Sequence, residues 1–533
     1  MNPTAHDAPA ANEHGGTIPL PRRLKRKIKD GLVALAVANG CFLRPSSHLL
    51  FDGNSYFQKL PVARVELLAL AVNILGAALM IWLGIGLWRR SRSRLLHLVL
   101  DMAFLFLLLF PAEFIRFKLF HWSVGGLPGL SHRPVLLLVL FVIAAGLVWK
   151  HRLAARTAAA VMVVTCPVAL LILARIILLC CNLMQVEACP YSVPPPPLLP
   201  VREDRPRVVW IIFDETDYRL AFAQRPAGVA LPEFDRLRRE ALSADPAYAP
   251  GDKTIVSMPA LISGRRLSGV ACDGCDLALT LADTGATTNW TTLPSVFSRA
   301  RELGVNTALV GWYVPYARML GGSLNYCSWY PFQYYDPARS TTFGGAMQEQ
   351  IACLAWFNDF RRLFIEICQD SLNDALSLVA NPTYGLILLH LAPPHDPPVY
   401  LPEKNEFTCM GIAAPAGYLN NLVLADQELG ALRRKMETAG QWDKSWVILS
   451  ADHSWRQSKL YDGVRDYRVP FLVKSTGVGQ SLAYSNPLNT ILTGDLILAI
   501  LQGNVSSQQE AAIWLDAHAK PELPVTQPNV MIE

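Results

Sequence analysis

Arg207-Val-Val-Trp-Ile-Ile-Phe213, followed by Asp214-Glu215-Thr216, decides the fold of the second half of this chain. After Arg207 the run is apolar without interruption, lacking the in-out alternation of a half-exposed strand, so it reads as a strand buried on both faces. Runs of the same kind recur at 307–313, 385–391, 445–450 and 469–474. Helical patterns lie between and around them, at 231–242, 254–263, 293–303, 346–378 and 418–438. Strands alternating with helices predict an α/β domain over 207–533 with a mostly parallel central sheet covered on both faces. Ligands in such sheets bind outside the carboxyl ends of the strands, so the residues that follow each strand are the first candidates for chemistry.

Those residues are polar and convergent in type. Asp214-Glu215 follows the first strand, Pro-Pro-His395-Asp396 follows 385–391, and Asp452-His453 follows 445–450. The domain has four histidines (His390, His395, His453 and His518), and three of them lie at these ends. Two carboxylate clusters and an imidazole at adjoining strand ends suit one divalent metal ion, zinc or manganese. His390 is still inside its strand and either binds substrate or points into a packed face. The loop Gly251-Asp-Lys253-Thr254 leads into an apolar helix. A hydroxyl at that place meets the positive end of the helix dipole, which favours an alkoxide and a bound phosphate, and Lys253 adds charge. A metal would activate Thr254 further by binding it. The other reading of Thr254 is a plain helix N-cap.

The first half solves a different problem. Residues 1–200 carry 20 Lys/Arg against 8 Asp/Glu, whereas 201–533 carry 28 against 35. Only 17% of the chain is charged, 52% is hydrophobic and the mean hydropathy is +0.25. Such a balance excludes a disordered protein, a nucleic-acid-binding tail and a fully soluble enzyme. After a basic N-terminus at 1–30 come five apolar stretches, at 31–51, 64–88, 95–115, 133–149 and 157–185. With about 20 apolar residues needed per crossing, they predict a membrane domain of five helices over 31–185. The first stretch, interrupted by Asn39, also fits a signal-peptide core, and the four stretches after it favour an uncleaved helix. Arg-rich loops at 89–94 and 150–156 fall on the side of the basic N-terminus, which makes that side cytoplasmic and places everything after 185 outside. The proline run at 193–197 marks 186–206 as a linker. Of the eleven cysteines, Cys272-Asp-Gly-Cys275 reads as a local disulfide or free thiols rather than a metal knuckle.

Taken in order, Phe-Asp214-Glu215-Thr-Asp, Asp-Lys253-Thr254, His390-Leu-Ala-Pro-Pro-His395-Asp-Pro-Pro-Val-Tyr and Ala-Asp452-His453 resemble the alkaline phosphatase/sulfatase superfamily. With the five predicted spans, the chain resembles more narrowly the membrane-bound phosphoethanolamine transferases and lipoteichoic acid synthases. The resemblance implies a multi-pass inner-membrane protein with an extracytoplasmic (periplasmic) domain having the superfamily's α/β sandwich. It implies metal binding by Glu215, Asp452 and His453, with Asp214 as a further ligand, and phosphate binding by His395. It further implies that Thr254 is the nucleophile. A phospho-alcohol group, phosphoethanolamine or phosphoglycerol, would pass from a membrane phospholipid through phosphothreonine to a glycan or lipid acceptor. True sulfatases make formylglycine in a C/S-x-P-x-R motif. Ser257-Met-Pro-Ala-Leu261 has leucine where arginine is required, and the modified position, ten residues before the closing Gly264, is Thr254. The chain departs from the usual Asp-His-Gly: Ser454-Trp455 follow His453, and no histidine occurs in 454–475. Arg456 or Lys459 stands in as phosphate ligand. A membrane-tethered phosphodiesterase or sulfatase-like hydrolase and a degenerate, non-catalytic member are the alternatives.

Overall fold

The computed structural model describes residues 21–51, 55–57, 62–120, 146, 148–181, 189, 192–202, 205–331, 342–354, 360–519 and 531–532. They divide into two units, one drawn from 1–43, 71–115 and 131–175, the other from 44–70, 116–130 and 176–533.

Among the described residues of the first region, three helices are long and apolar enough to cross a membrane: Arg64–Arg90, Arg94–Ile115 and His151–Cys180. They coincide with the second, third and fifth apolar stretches. The fourth, 133–149, lies almost wholly outside the described residues. The first stretch is carried by a helix that starts earlier, within the basic run, and spans Arg22–Cys41. At one end of this unit the basic segments meet. Arg89 donates to Asp30 (Nε···Oδ2 2.8 Å), Arg152 contacts His97 (2.8 Å), and His151 pairs with Asp101 (2.6 Å). Asp101, costly inside an apolar span, thus has a hydrogen-bonding partner.

The second unit is built on an eight-stranded sheet. Its strands in chain order are β1 (Arg207–Phe213), β2 (Leu242–Ala244), β3 (Thr307–Trp312), β4 (Tyr326–Tyr330), β5 (Leu386–Leu391), β6 (Ser445–Ser450), β7 (Phe471–Lys474) and β8 (Leu482–Tyr484). Across the sheet they run β8-β2-β7-β6-β1-β5-β3-β4. The five from β6 to β4 are mutually parallel, and β7 is antiparallel to both its neighbours. Every residue of β1, β3, β5, β6 and β7 is buried, as continuous apolar runs require. Alternate residues separate into two cores. Val208, Trp210 and Ile212 join one with Val256, Met258 and Leu261, while Val209, Ile211 and Phe213 join the other with Leu422 and Leu429.

The helix Thr254–Ser263 is buried along its whole length, Pro259 included. An interior proline costs a helix about 3 kcal/mol. Burial of Val256, Met258, Leu261 and Ile262 at about 1.5–3 kcal/mol each outweighs it. The predicted helix at 346–378 is two, Phe343–Ala352 and Phe360–Val379. The other predicted helices and strands agree within about four residues at each end.

The linker is no free spacer. Its proline carbonyls at 196 and 197 accept from Asn325, and Leu199 exchanges two hydrogen bonds with Asn306. Cys272 and Cys275 do not pair with each other. Cys275 is bonded to Cys189 at the start of the linker, 86 residues away, and Cys272 is free. Closing a loop of that length should stabilise the unit by about 2–4 kcal/mol. Cys275→Ser is therefore expected to lower its melting temperature, and an unchanged melt would show that the bridge does not form. The unit also takes in Ser55–Phe57, which precedes the helix Arg64–Arg90. Tyr56 is fully buried in the first core, its carbonyl accepts from Arg318 (2.7 Å), and the Phe57 ring lies 5.1 Å from that of Tyr313.

Candidate active site

Parallel strands deliver their carboxyl ends to one edge of the sheet, and strand periodicity decides which side chains meet there. Ile212 of β1 lies opposite both His390 of β5 and Ser450 of β6. The even-numbered residues of these strands face the core that contains the helix Thr254–Ser263. Continuing by two from Ile212 reaches Asp214, from Leu388 reaches His390, and from Ser450 reaches Asp452. One atom from each of Asp214, His390 and Asp452 lies within 4.8 Å of the others, and all three residues are buried.

Thr254 enters from the side. It is the first residue of its helix, after Lys253. Its hydroxyl donates to Asp214 Oδ2 (3.3 Å) and lies 3.4 Å from His453 Nε2. The hydroxyl therefore faces the acidic group instead of capping its own helix. His453 Nε2 is also 3.4 Å from Asp452 Oδ2 and 3.7 Å from Asp214 Oδ1. Around this group Trp312 donates its indole N–H to Asp214 Oδ2 (3.0 Å), and the Tyr316 hydroxyl lies 2.8 Å from His390 Nδ1. Asp452 Oδ1 accepts from the backbone N–H groups of Glu215 (3.0 Å) and His453 (2.8 Å).

What stays unsatisfied is informative. Asp214 Oδ1, Asp452 Oδ2 and His390 Nε2 are buried with no hydrogen-bond partner. Burying such atoms unpaired costs about 1–3 kcal/mol each, more for charged groups. Three ligand-type atoms orphaned side by side fit a divalent cation, and Asp214, His390 and Asp452 form a possible metal site. The electrostatics of the bare group agree. Burial and the charge of Asp214 push the Asp452 carboxyl up. Burial would raise Asp214 as well, but the imidazoles of His395, His390 and His453 outweigh it and hold its carboxyl well below the usual range.

The remaining candidates form a second, more open group. Glu215 has φ 64, an unusual conformation for a residue with a side chain. Its carboxylate meets Arg456, whose backbone N–H (2.9 Å) and Nε (3.2 Å) both donate to Oε1. Arg456 reaches on to His395 (3.4 Å), whose ring stacks edge-on against Trp312 at 5.0 Å. Burial lowers the pKa of His395, but the carboxylates of Asp214 and Glu215 more than offset it, so the imidazolium is favoured. Lys253 and Lys459 are exposed, and their side chains make no hydrogen bond or ion pair among the described residues.

Sequence reasoning named every residue of both groups except Trp312 and Tyr316. It offered His390 only as a substrate ligand or packing residue. Its parity with Asp214 and Asp452, counted along buried strands, was the signal that sets it in the inner group.

The Sulfatase family matches residues 206–502. No curated protein matches the chain. Solved structures similar to it include a phosphonate monoester hydrolase from Silicibacter pomeroyi (14% identity, 60% of this chain and 78% of that one, TM-score 0.39). A sulfatase from Pseudoalteromonas sp. is also similar (14%, 62% and 70%, TM-score 0.40). So is a protein of the alkaline phosphatase superfamily from Vibrio parahaemolyticus (14%, 57% and 68%, TM-score 0.38). The architecture is a helical N-terminal region with apolar helices, then an α/β domain with a mostly parallel central sheet, the part that the Sulfatase family matches.

Proposed function

The chain belongs to the sulfatase family, and from that premise we propose that it is a metal-dependent membrane phosphotransferase. It moves a phospho-alcohol group, phosphoethanolamine or phosphoglycerol, from a phospholipid donor to a glycan or lipid acceptor. The observation that carries this reading is the Thr254 hydroxyl, at a buried helix N-terminus and within reach of Asp214 and His453. Threonine cannot become formylglycine, whereas its hydroxyl can be esterified by phosphorus.

Asp214, His390 and Asp452, with His453 beside them, hold the cation in this reading, zinc or manganese. When bound it supplies a Lewis acid that lowers the pKa of the adjoining hydroxyl and offsets phosphoryl charge. In the first step Thr254 Oγ1 attacks the donor phosphorus, and its proton passes to His453 Nε2, 3.4 Å away. A Thr254–O–P bond forms and the P–O bond to diacylglycerol breaks, with His395 protonating the departing oxygen. Arg456, turned in by Glu215, neutralises a phosphoryl oxygen. In the second step the acceptor hydroxyl gives its proton to His395 and attacks the phosphorus. The Thr254–O–P bond breaks, and Thr254 recovers its proton from His453.

Exposure of the purified full-length protein to donor lipids, read by intact mass, tests this. The expected result is a phospho-alcohol adduct on the peptide containing Thr254 and, with acceptor present, stable transfer to it. Free phospho-alcohol as the sole product would make the protein a phosphodiesterase. Normal metal binding with no adduct from any donor would make it a non-catalytic member. The placement of the domain has its own test. A reporter active only outside the cytoplasm, fused after residue 200, should be active, and a stable but silent fusion would overturn the five-span topology.

A further inference from the structure

The helical unit contains a cavity of about 510 Å³ that the transfer reaction does not use. Its volume falls within the roughly 300–1,000 Å³ typical of ligand sites. Helices Arg22–Cys41, Arg64–Arg90, Arg94–Leu107 and His151–Cys180 all contribute to its lining, and every lining residue belongs to the one unit.

The wall has two characters. Val33, Ile81, Ile85, Phe104 and Leu107 make it apolar along the helices, while Lys29, Trp88, Arg89, Arg152 and Arg156 gather where the basic segments meet. The charges do not cancel. Asp30 is held by Arg89 and Asp101 by His151. The side chains of Lys29 and Arg156 make no ion pair or hydrogen bond among the described residues, and both residues are exposed and line the cavity. Trp88 also lines it, and its indole N–H is buried without a partner, an unusual state for a buried donor. An apolar trough ending in two free cations and a free N–H donor complements a molecule with a hydrocarbon body and an anionic, oxygen-rich head. A small anion would leave the trough unfilled, and a zwitterionic head would bring a cation of its own against Lys29 and Arg156.

We propose that this cavity binds one anionic phospholipid, with its phosphate at Lys29 and Arg156 and an acyl chain along the apolar wall. Basic pockets between membrane helices recognise lipid heads in this way. The inference rests on the helices crossing a bilayer, and it stands or falls apart from the chemistry at Thr254.

The test uses the full-length protein, delipidated in detergent and offered phosphatidylglycerol and phosphatidylcholine together, with retained lipid counted by native mass spectrometry. One phosphatidylglycerol should be kept in preference. A basic residue near a lipid head is worth about 1 kcal/mol, or about fivefold, so Lys29→Ala with Arg156→Ala should weaken retention about 25-fold. Ala103→Trp, which fills the cavity and leaves every charge in place, should also abolish it. Arg23→Ala with Arg26→Ala, at the same end but outside the cavity lining, should not change it. Glycerol phosphate, which has the head and no chain, should not compete. Equal retention of phosphatidylcholine, an unaffected Lys29/Arg156 variant, or an equal loss from the Arg23/Arg26 variant would overturn the proposal. The last of these would reduce it to diffuse surface attraction. Catalytic loss alone would leave it untouched.

Discussion

Thr254→Ala should bring phospho-alcohol transfer down by about 10⁴–10⁶-fold, the scale on which enzymes lose turnover when their nucleophile is removed. The hydroxyl oxygen is the atom that must become esterified, and nothing near it can take its place. Asp214 and Asp452 are buried carboxylates, and His395 lies in the other group with Arg456. The fold should survive the change, because the hydroxyl's two contacts are long, at 3.3 and 3.4 Å, and its loss leaves no donor stranded. Thr254→Ser should keep measurable activity, since a primary hydroxyl can do the same chemistry. Ser257 is the control. It sits one turn further along the same helix, fully buried, with its hydroxyl unpartnered, and Ser257→Ala should retain substantial turnover. Normal turnover in Thr254→Ala, or an adduct mapped to Ser257, would move the nucleophile.

Asp452→Asn should strip the protein of its metal. Changes that merely disturb the surroundings of a ligand cost about 10–100-fold in affinity, and loss of a ligand atom should cost at least about that much. Asparagine is the informative replacement because its carbonyl can still accept the N–H groups of Glu215 and His453, as Asp452 Oδ1 does. Only the unpartnered Oδ2 changes, from a ligand into an amide donor. Asp214→Asn should behave alike, and so should His390→Gln. Glu215→Gln should hold its metal much better, because that carboxylate is engaged by Arg456. Metal content of purified variants after equilibrium dialysis against zinc or manganese measures all four. Undiminished occupancy in Asp452→Asn would remove the metal from this place. A deficit in Glu215→Gln as deep as that in Asp452→Asn would make Glu215 a direct ligand.

Much of this was legible in the residues, for reasons that also set the limits. β1, β5 and β6 announce themselves because a strand buried on both faces has little choice but to be apolar throughout. Asp214 and Asp452 stand out as the first acidic residues beyond them. β2 and β8 have three residues each, too few for a periodic signal, and they depend on tertiary pairing: β2 joins the edge of β7, and β8 in turn joins β2. The hairpin strands Leu267–Asp273 and Asp276–Leu281 have no place in the sequence reading: the first alternates weakly, and the second alternates cleanly with Leu277, Leu279 and Leu281 buried, a half-exposed pattern unlike the continuous apolar runs of the main sheet. The direction of Glu215 depends on a left-handed turn that no rule assigns to a glutamate. Its neighbour in sequence, Asp214, and its neighbour in space, Arg456, therefore belong to different groups. The partner of Cys275 was out of reach for the same reason: a bridge over 86 residues is a fact of tertiary structure.

Tyr56 has a bearing on how such a protein can be inherited. It lies in sequence between apolar helices, yet it fills the core of the α/β unit and is fastened there by Arg318. The natural place to divide the chain, ahead of Cys189, does not divide the structure. An exchange of N-terminal halves between two relatives would replace the α/β unit's own Tyr56 with whatever the donor lineage carries there. Recombination is then tolerated only where the incoming segment matches the recipient's core, and the two regions of the gene are bound to diverge together.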